Sequence, residues 1–219
     1  MKRKLVLIII LAVMVISGAS IGGYYWYQGA NYIATDNARL AGDIYRVMPR
    51  IAGKINTLGI KVGDTVVADQ IVGQQDITNL SNSLLDQATL RTPIGGTVIQ
   101  TAAKVGEVVA PGQSVAMIVD KSALYVSADI DETKIKKIHV GQLVTFDVDT
   151  YGGTEFQGRV TEIGQATAST FSLLPTTGSS GNFTKVTQRL NVKISIDDHK
   201  GLDLAPGMNA AIKIHIKGE

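Results

Sequence analysis

Ile51-Ala52-Gly53-Lys54-Ile55 opens a pattern that continues through Lys61-Val62-Gly63-Asp64 to Gln70-Ile71-Val72. The same pattern returns forty-three residues later as Ile94-Gly95-Gly96-Thr97-Val98, Lys104-Val105-Gly106-Glu107 and Gln113-Ser114-Val115, with no gap in the alignment. Eight positions are identical, Val66/Val109 among them, and Ile55/Val98 and Asp64/Glu107 are conservative pairs. One copy supplies a few short strands with a single apolar face, which is too little for a core. Two such faces close on each other as a small sandwich. In each copy a strand ends at Val-Gly and a carboxylate, where Gly permits the positive φ of a tight turn. The alignment predicts that Gly63 and Gly106 occupy equivalent structural turns and that Val62 and Val105 face one shared core. Ala68-Asp69-Gln70 and Pro111-Gly112-Gln113 fill a second turn, and Pro-Gly suits a type II geometry.

A duplicated half-sandwich of this length is the signature of a biotinyl- or lipoyl-like barrel-sandwich hybrid, predicted here over residues 46–122. Its halves run from about Pro49 to Gln74 and from Thr92 to Val119. Between them lies an insert at 76–91, in which Ile77, Leu80, Leu84, Leu85 and Ala88 recur at helical spacing and Asp76 or Thr78 offers a cap. That spacing fits one short helix, two very short ones bent at Ser81-Asn82-Ser83, or an amphipathic loop lying on the sandwich.

The N-terminus carries a different signal. Leu5 to Gly23 has no charged residue, and its nineteen residues span about 28 Å as a helix, close to the ~30 Å core of a bilayer. Lys2-Arg3-Lys4 precede it and Tyr24-Tyr25-Trp26-Tyr27 follow. The rival is a cleaved signal peptide ending near Ser17-Gly18-Ala19-Ser20. The continuing apolar run and the aromatic belt favour a retained single-pass anchor over 5–27, with residues 1–4 in the cytoplasm and the bulk of the chain outside the inner (cell) membrane. Residues 28–45 then read as a juxtamembrane spacer and first strand, the strand beginning near Ile44.

Residues 123–217 read as a small β-barrel. Leu124–Ala128, Val144–Val148, Gly158–Ile163, Gln188–Ile196 and Ala210–Ile216 alternate as strands with one buried face. Asp131–Ile138 reads as a short helix, and a Gly/Ser/Thr-rich loop at Ala166–Thr184 interrupts the barrel. That loop also holds Phe171, Leu173, Leu174 and Phe183. Apolar groups in such a setting mark either an ordinary barrel loop or a partner-docking element.

The sequence excludes much chemistry. There is no cysteine, hence no disulfide, thiol nucleophile or acylated lipoprotein anchor. Lys+Arg number 21 against 19 Asp+Glu, and setting Lys2, Arg3 and Lys4 aside leaves 18 against 19. No basic cluster remains for a nucleic acid. His139, His199 and His215 belong to no metal-binding spacing, Asp197-Asp198 reads as a solvated turn, and no nucleophile elbow or phosphate loop occurs. Biotinyl and lipoyl carriers modify a lysine in the hairpin between the halves, but no lysine lies between Lys61 and Lys104. No catalytic, metal or cofactor site is therefore assigned, and the protein reads as no enzyme. The alternative is an accessory or scaffold subunit of a membrane-bound enzyme.

The order of tail, anchor, split repeat and barrel resembles the HlyD-like membrane fusion proteins, or periplasmic adaptor subunits. Thr35-Asp36-Asn37-Ala38, leading through Pro49-Arg50-Ile51-Ala52-Gly53, is similar to the EmrA type. So is Phe171-Ser172-Leu173-Leu174-Pro175 followed by Gly181-Asn182-Phe183-Thr184-Lys185-Val186-Thr187-Gln188-Arg189. The resemblance implies a multidrug or small-molecule efflux adaptor, one that can form a homo-oligomer, partnered with an inner-membrane exporter of the major-facilitator type. The family usually inserts a long helical hairpin whose tip docks an outer-membrane channel. The insert here is much shortened and lacks the family's Arg-x6-Leu-x6-Ser tip pattern, so the resemblance does not extend to channel docking.

Overall fold

In the computed structural model, residues 2–78, 85–167, 170 and 187–216 are described. The chain divides into two compact units. One holds Met1–Arg39, Val126–Leu202 and Met208–Glu219, and the other holds Leu40–Tyr125 and Asp203–Gly207.

Helix α1 spans Lys2–Asn31. Among the described residues no helix is long and apolar enough to cross a membrane. The described part of α1 exposes Leu11, Val13, Met14, Val15, Ile16 and Ile21. Strand β1, Tyr32–Ala41, begins at the next residue. Most of the stretch read as a spacer is thus a strand, because Ile33, Ala38 and Leu40 are buried and the last strand of the chain needs a partner for its backbone groups.

The sandwich unit is built from β2 (Ile44–Val47), β3 (Gly53–Leu58), β4 (Thr65–Val66), β5 (Ile71–Gln75), β6 (Thr89–Arg91), β7 (Gly96–Thr101), β8 (Val108–Val109) and β9 (Ala116–Val119). They form two four-stranded sheets in the orders β2-β9-β7-β4 and β6-β5-β3-β8. Each half has given its short second strand to the other. Val66 of the first half pairs with Gly96 of the second, and Val109 of the second pairs with Gly53 of the first. The repeat-related pairs Ile55/Val98, Val66/Val109 and Val72/Val115 meet in one core with Val47, Leu90 and Ile118. Removing each such side chain from water contributes about 1.5–3 kcal/mol.

Two expectations need correction here. Val62 and Val105 are not in the core and are 61% and 59% exposed. Each occupies the second position of a turn closed by Asp64 N–H to Lys61 O at 3.1 Å and Glu107 N–H to Lys104 O at 3.1 Å. The next residue, Gly63 or Gly106, has φ of +95° or +92°, which is type II geometry. That second position wants extended backbone, which a β-branched residue favours, so Val serves the turn rather than the core. The insert also differs from a helix where it is described. Asp86–Ala88 is one 3-10 turn and Thr89–Arg91 is strand β6. Leu90 is fully buried, and β6 completes the second sheet by pairing with β5. Residues 79–84, with Leu80 and Leu84, lie outside the described residues.

The barrel unit contains β10 (Tyr125–Asp131), α2 (Glu132–Ile135), β11 (Leu143–Val148), β12 (Glu155–Thr167), β13 (Arg189–Ser195) and β14 (Asn209–His215). The barrel closes in the order β1-β10-β13-β12-β11-β14, so the first strand of the chain seals it against the last. Phe146 and Phe156 face each other across β11 and β12 and stack inside with centroids 5.4 Å apart. Strand β12 shifts register against β13 between Val160 and Glu162 and again between Ile163 and Thr167. Such bulges add the twist that closes a small barrel. At Gly158 a Cβ would lie 1.8 Å from Ser195 O, so only glycine lets the two strands approach.

Candidate docking surfaces

The residues singled out by sequence fall in three places. Gly63 and Gly106 form repeat-related turn tips. The Gly63 N–H donates to Val98 O and the Gly106 N–H to Ile55 O, both at 2.8 Å. Asp64 Oδ2 accepts the Lys61 N–H at 2.8 Å and Glu107 Oε2 the Lys104 N–H at 3.0 Å. These carboxylates hold the turns, and the tips present exposed Lys and Val side chains. A third turn of the same kind, His139-Val140-Gly141-Gln142, lies in the barrel unit. Gln142 Oε1 accepts the His139 N–H at 3.0 Å, Gly141 has φ of +93°, and Val140 is 64% exposed. The spacing His-Val-Gly-Gln was visible in the sequence but lay outside the duplicated segment.

The base of the insert is the second place. Asp76 accepts from the Thr78 hydroxyl and from the Thr78 N–H at 2.9 Å, and these bonds, the hydroxyl first, hold its carboxyl below its ordinary pKa. On the other side Asp86 meets Arg50 at 3.6 Å and Arg91 at 3.5 Å, and Arg91 also reaches Asp69. Arg50, Asp69 and Asp86 are exposed, so each pair contributes at most about 1 kcal/mol. Gln75 lies beneath, 1% exposed, its Nε2 donating to Ile51 O at 3.0 Å and Gly53 O at 3.3 Å. Gln75 ties the entry of the first half to the start of the insert. The signal for it was a break in the repeat, since the equivalent residue of the second half is Ile118. Buried Thr92 does similar work, its hydroxyl donating to Val67 O at 2.5 Å and accepting the Gln70 N–H at 3.0 Å.

The third place is the barrel rim beside the Gly/Ser/Thr-rich loop. Phe171, Leu173, Leu174 and Phe183 lie outside the described residues. The described flanks of that loop, Thr167 and Thr187, line an open groove of about 660 Å³ together with Glu132, Ile135, Lys136 and Leu190. On the outer wall of β10 and β13, Asn191 Nδ2 donates to Ser127 Oγ at 2.7 Å and Asp129 Oδ1 at 3.1 Å. Asp131 sits between Lys134 at 3.4 Å and Arg189 at 3.5 Å. Among the described residues no group of three or more His, Cys, Asp or Glu is placed to hold a metal. His199 and His215 each bury an Nε2 with no partner, and His215 packs edge-on against Tyr32 with centroids 4.9 Å apart. Among the described residues these surfaces bring no nucleophile, base and electrophile together.

Residues 124–214 match the YknX-like beta-barrel domain family. The chain is 42% identical over 193 residues to the putative efflux system component YhbJ of Bacillus subtilis, covering 85% of this chain and 81% of the relative. It is 34% identical over 147 residues to the colistin resistance protein EmrA of Acinetobacter baumannii, covering 66% of this chain. The match covers only 42% of that relative's length. The solved structure of the periplasmic adaptor protein EmrA superposes with a TM-score of 0.55 at 15% identity, covering 84% of this chain and 98% of that one. At that identity the likeness is one of fold.

Proposed function

This chain belongs to the EmrA-type membrane fusion proteins of efflux systems, and we propose that it is the membrane-anchored, non-enzymatic adaptor of an inner-membrane exporter of the major-facilitator type. Drugs or other small molecules leave through the exporter, and the adaptor forms or seals the exit path outside the membrane. The observation that carries this reading is the junction at Asn31–Tyr32, where α1 passes into a barrel strand with no linker. A barrel joined in this way is fixed to whatever holds the helix. The uncharged run Leu5–Gly23, flanked by Lys2-Arg3-Lys4 and an aromatic belt, supports a single membrane pass with the N-terminus inside. A lysine-free connection between the sandwich halves leaves no carrier role.

The insert between β5 and β6 spans residues 76–88. Folded as a hairpin it would project about 10 Å, which does not bridge to a second membrane. The adaptor accordingly works at the outer face of one membrane. Phe171, Leu173, Leu174 and Phe183 are the proposed contacts to the exporter, on the strength of their apolar character in a polar loop. Deleting this chain while keeping the exporter at normal abundance should raise drug accumulation several-fold. Unchanged accumulation would reject the adaptor role. A reporter active only outside the cytoplasm, fused after Glu219, checks the topology; an expressed but inactive fusion would reverse it.

A further inference from the structure

We propose that the end of the barrel next to Asn31 is a contact site for anionic lipid headgroups, with Lys136, Lys137 and Arg159 as its cationic face and Val140 as its tip. This rests on the reading of α1 as a membrane anchor. The placement comes from a short chain of hydrogen bonds. Asn31 is the last residue of α1, and its carbonyl accepts the Ile216 N–H at 2.8 Å. The Ile216 carbonyl accepts from Gln142 Nε2 at 3.4 Å, and the same nitrogen donates to Lys137 O at 3.2 Å. The turn from Lys137 to Gln142 is therefore two hydrogen bonds from the end of the helix. Arg159 joins it by donating from Nη1 to Gly141 O at 3.4 Å.

The charge pattern points the same way. Lys136, Lys137 and Arg159 are exposed, and none has a carboxylate partner among the described ion pairs. Asp131, near the start of α2, is already engaged by Lys134 and Arg189. The opposite end of the same strands is richer in carboxylates than in cations, with Lys200 beside them donating from Nζ to Glu155 O at 2.5 Å. Strand β11 runs from Leu143 to Val148, about 20 Å, and its far end carries Asp147, Asp149 and, across the pair with β12, Glu155. Asp147 and Glu155 are direct cross-strand neighbours of like charge, an arrangement that costs stability. A barrel basic at the helix end and acidic at the other is oriented by an anionic leaflet. Each Lys or Arg brought near such a surface contributes about fivefold in affinity. An acidic protein surface would also meet this patch, but the lipid is favoured because the helix end fixes the patch at the leaflet.

The test uses the absence of native cysteine. Full-length Val140→Cys and Thr150→Cys, each carrying one fluorophore, are placed in nanodiscs of phosphatidylcholine alone or mixed with phosphatidylglycerol, with spin-labelled headgroups as quencher. The expected result is several-fold stronger quenching at position 140 than at 150. It should rise with phosphatidylglycerol and fall to the phosphatidylcholine level with added salt or in Lys136→Gln/Lys137→Gln. Equal quenching at the two positions, with the protein resistant to alkaline carbonate extraction, overturns the lipid contact and leaves the anchor standing. Extraction by carbonate overturns both. Protection at position 140 that appears only when the exporter is added overturns the lipid assignment and gives the patch to a protein surface.

Discussion

Gly63 and Gly106 sit forty-three residues apart, and each donates its amide into the other half of the sandwich, to Val98 O and Ile55 O at 2.8 Å. A Cβ at either position meets nothing within 4 Å, so the constraint is backbone conformation alone. Gly63→Val and Gly106→Val should each destabilise by about 1–3 kcal/mol, and Gly63→Asn by clearly less, because Asn tolerates positive φ. Denaturant melts of the three variants check this. Equal losses for Val and Asn would mean that sterics, not φ, rule the site.

Gly158 is constrained by space. Its Cβ would lie 1.8 Å from the Ser195 carbonyl oxygen, a backbone atom that cannot swing aside. Gly158→Ala should cost roughly 3 kcal/mol or more through strain and lost pairing. A melting midpoint within a degree of the parent would show that β13 can shift freely.

The insert should divide sharply at Leu85. Replacing residues 77–84 with a Gly/Ser linker should leave melting and efflux close to the parent. Leu90→Ala should lower stability by about 2–5 kcal/mol, because Leu90 is a fully buried core residue. Loss of efflux at unchanged stability in the 77–84 replacement would show that the insert makes a functional contact, for example between adaptor copies.

Asp120 accepts the Ser122 hydroxyl at 2.6 Å and the Ser122 N–H at 2.9 Å. These bonds, the hydroxyl first, hold its carboxyl below the ordinary 3.8. A carboxyl depressed on folding adds stability that is present above its unfolded pKa and lost as pH falls through the folded value. Ser122→Ala should raise the Asp120 pKa toward 3.8 in an NMR titration and flatten that part of the acid limb. No movement would assign the depression to another cause.

Phe171, Leu173 and Leu174 replaced together by Ser should abolish copurification with the exporter while the barrel still melts cooperatively. Equal recovery of the complex from the variant rejects the docking role.

The sandwich was legible because duplication is a local pattern. Identical residues at a fixed offset disclosed Gly63/Gly106 and the core pairs Val72/Val115 and Val66/Val109. At Val62/Val105 the identity serves turn conformation rather than burial, and identity alone does not separate the two. Thr89–Arg91 was hidden because the helical spacing of Ile77, Leu80, Leu84, Leu85 and Ala88 runs up to its edge, and only pairing with β5 makes Leu90 a strand residue. The barrel strands announced themselves by alternation, but not the closure by β1. Tyr32 and His215 are cross-strand partners at opposite ends of the chain, and no local pattern encodes such a pair. The docking surfaces were least legible. Gln75 was marked only by a departure from the repeat, and the rim turn at His139–Gln142 lies outside the duplicated segment that marks its two relatives.

The pairing of β1 with β14 also sets an order of events during synthesis. Tyr32 leaves the ribosome long before Asn209, and at roughly 5–20 residues per second the interval is on the order of ten seconds or more. Through that time β1 is an open edge tethered to α1, a template for any stray strand. The sandwich waits as well. Its unit includes Asp203–Gly207, where Leu204 is buried, Asp203 pairs with Lys121 and Gly207 N–H donates to Leu40 O at 2.8 Å. Neither unit can be completed before the last tenth of the chain emerges. Nascent chains halted short of residue 203 should therefore remain protease-sensitive in both units and depend on chaperones.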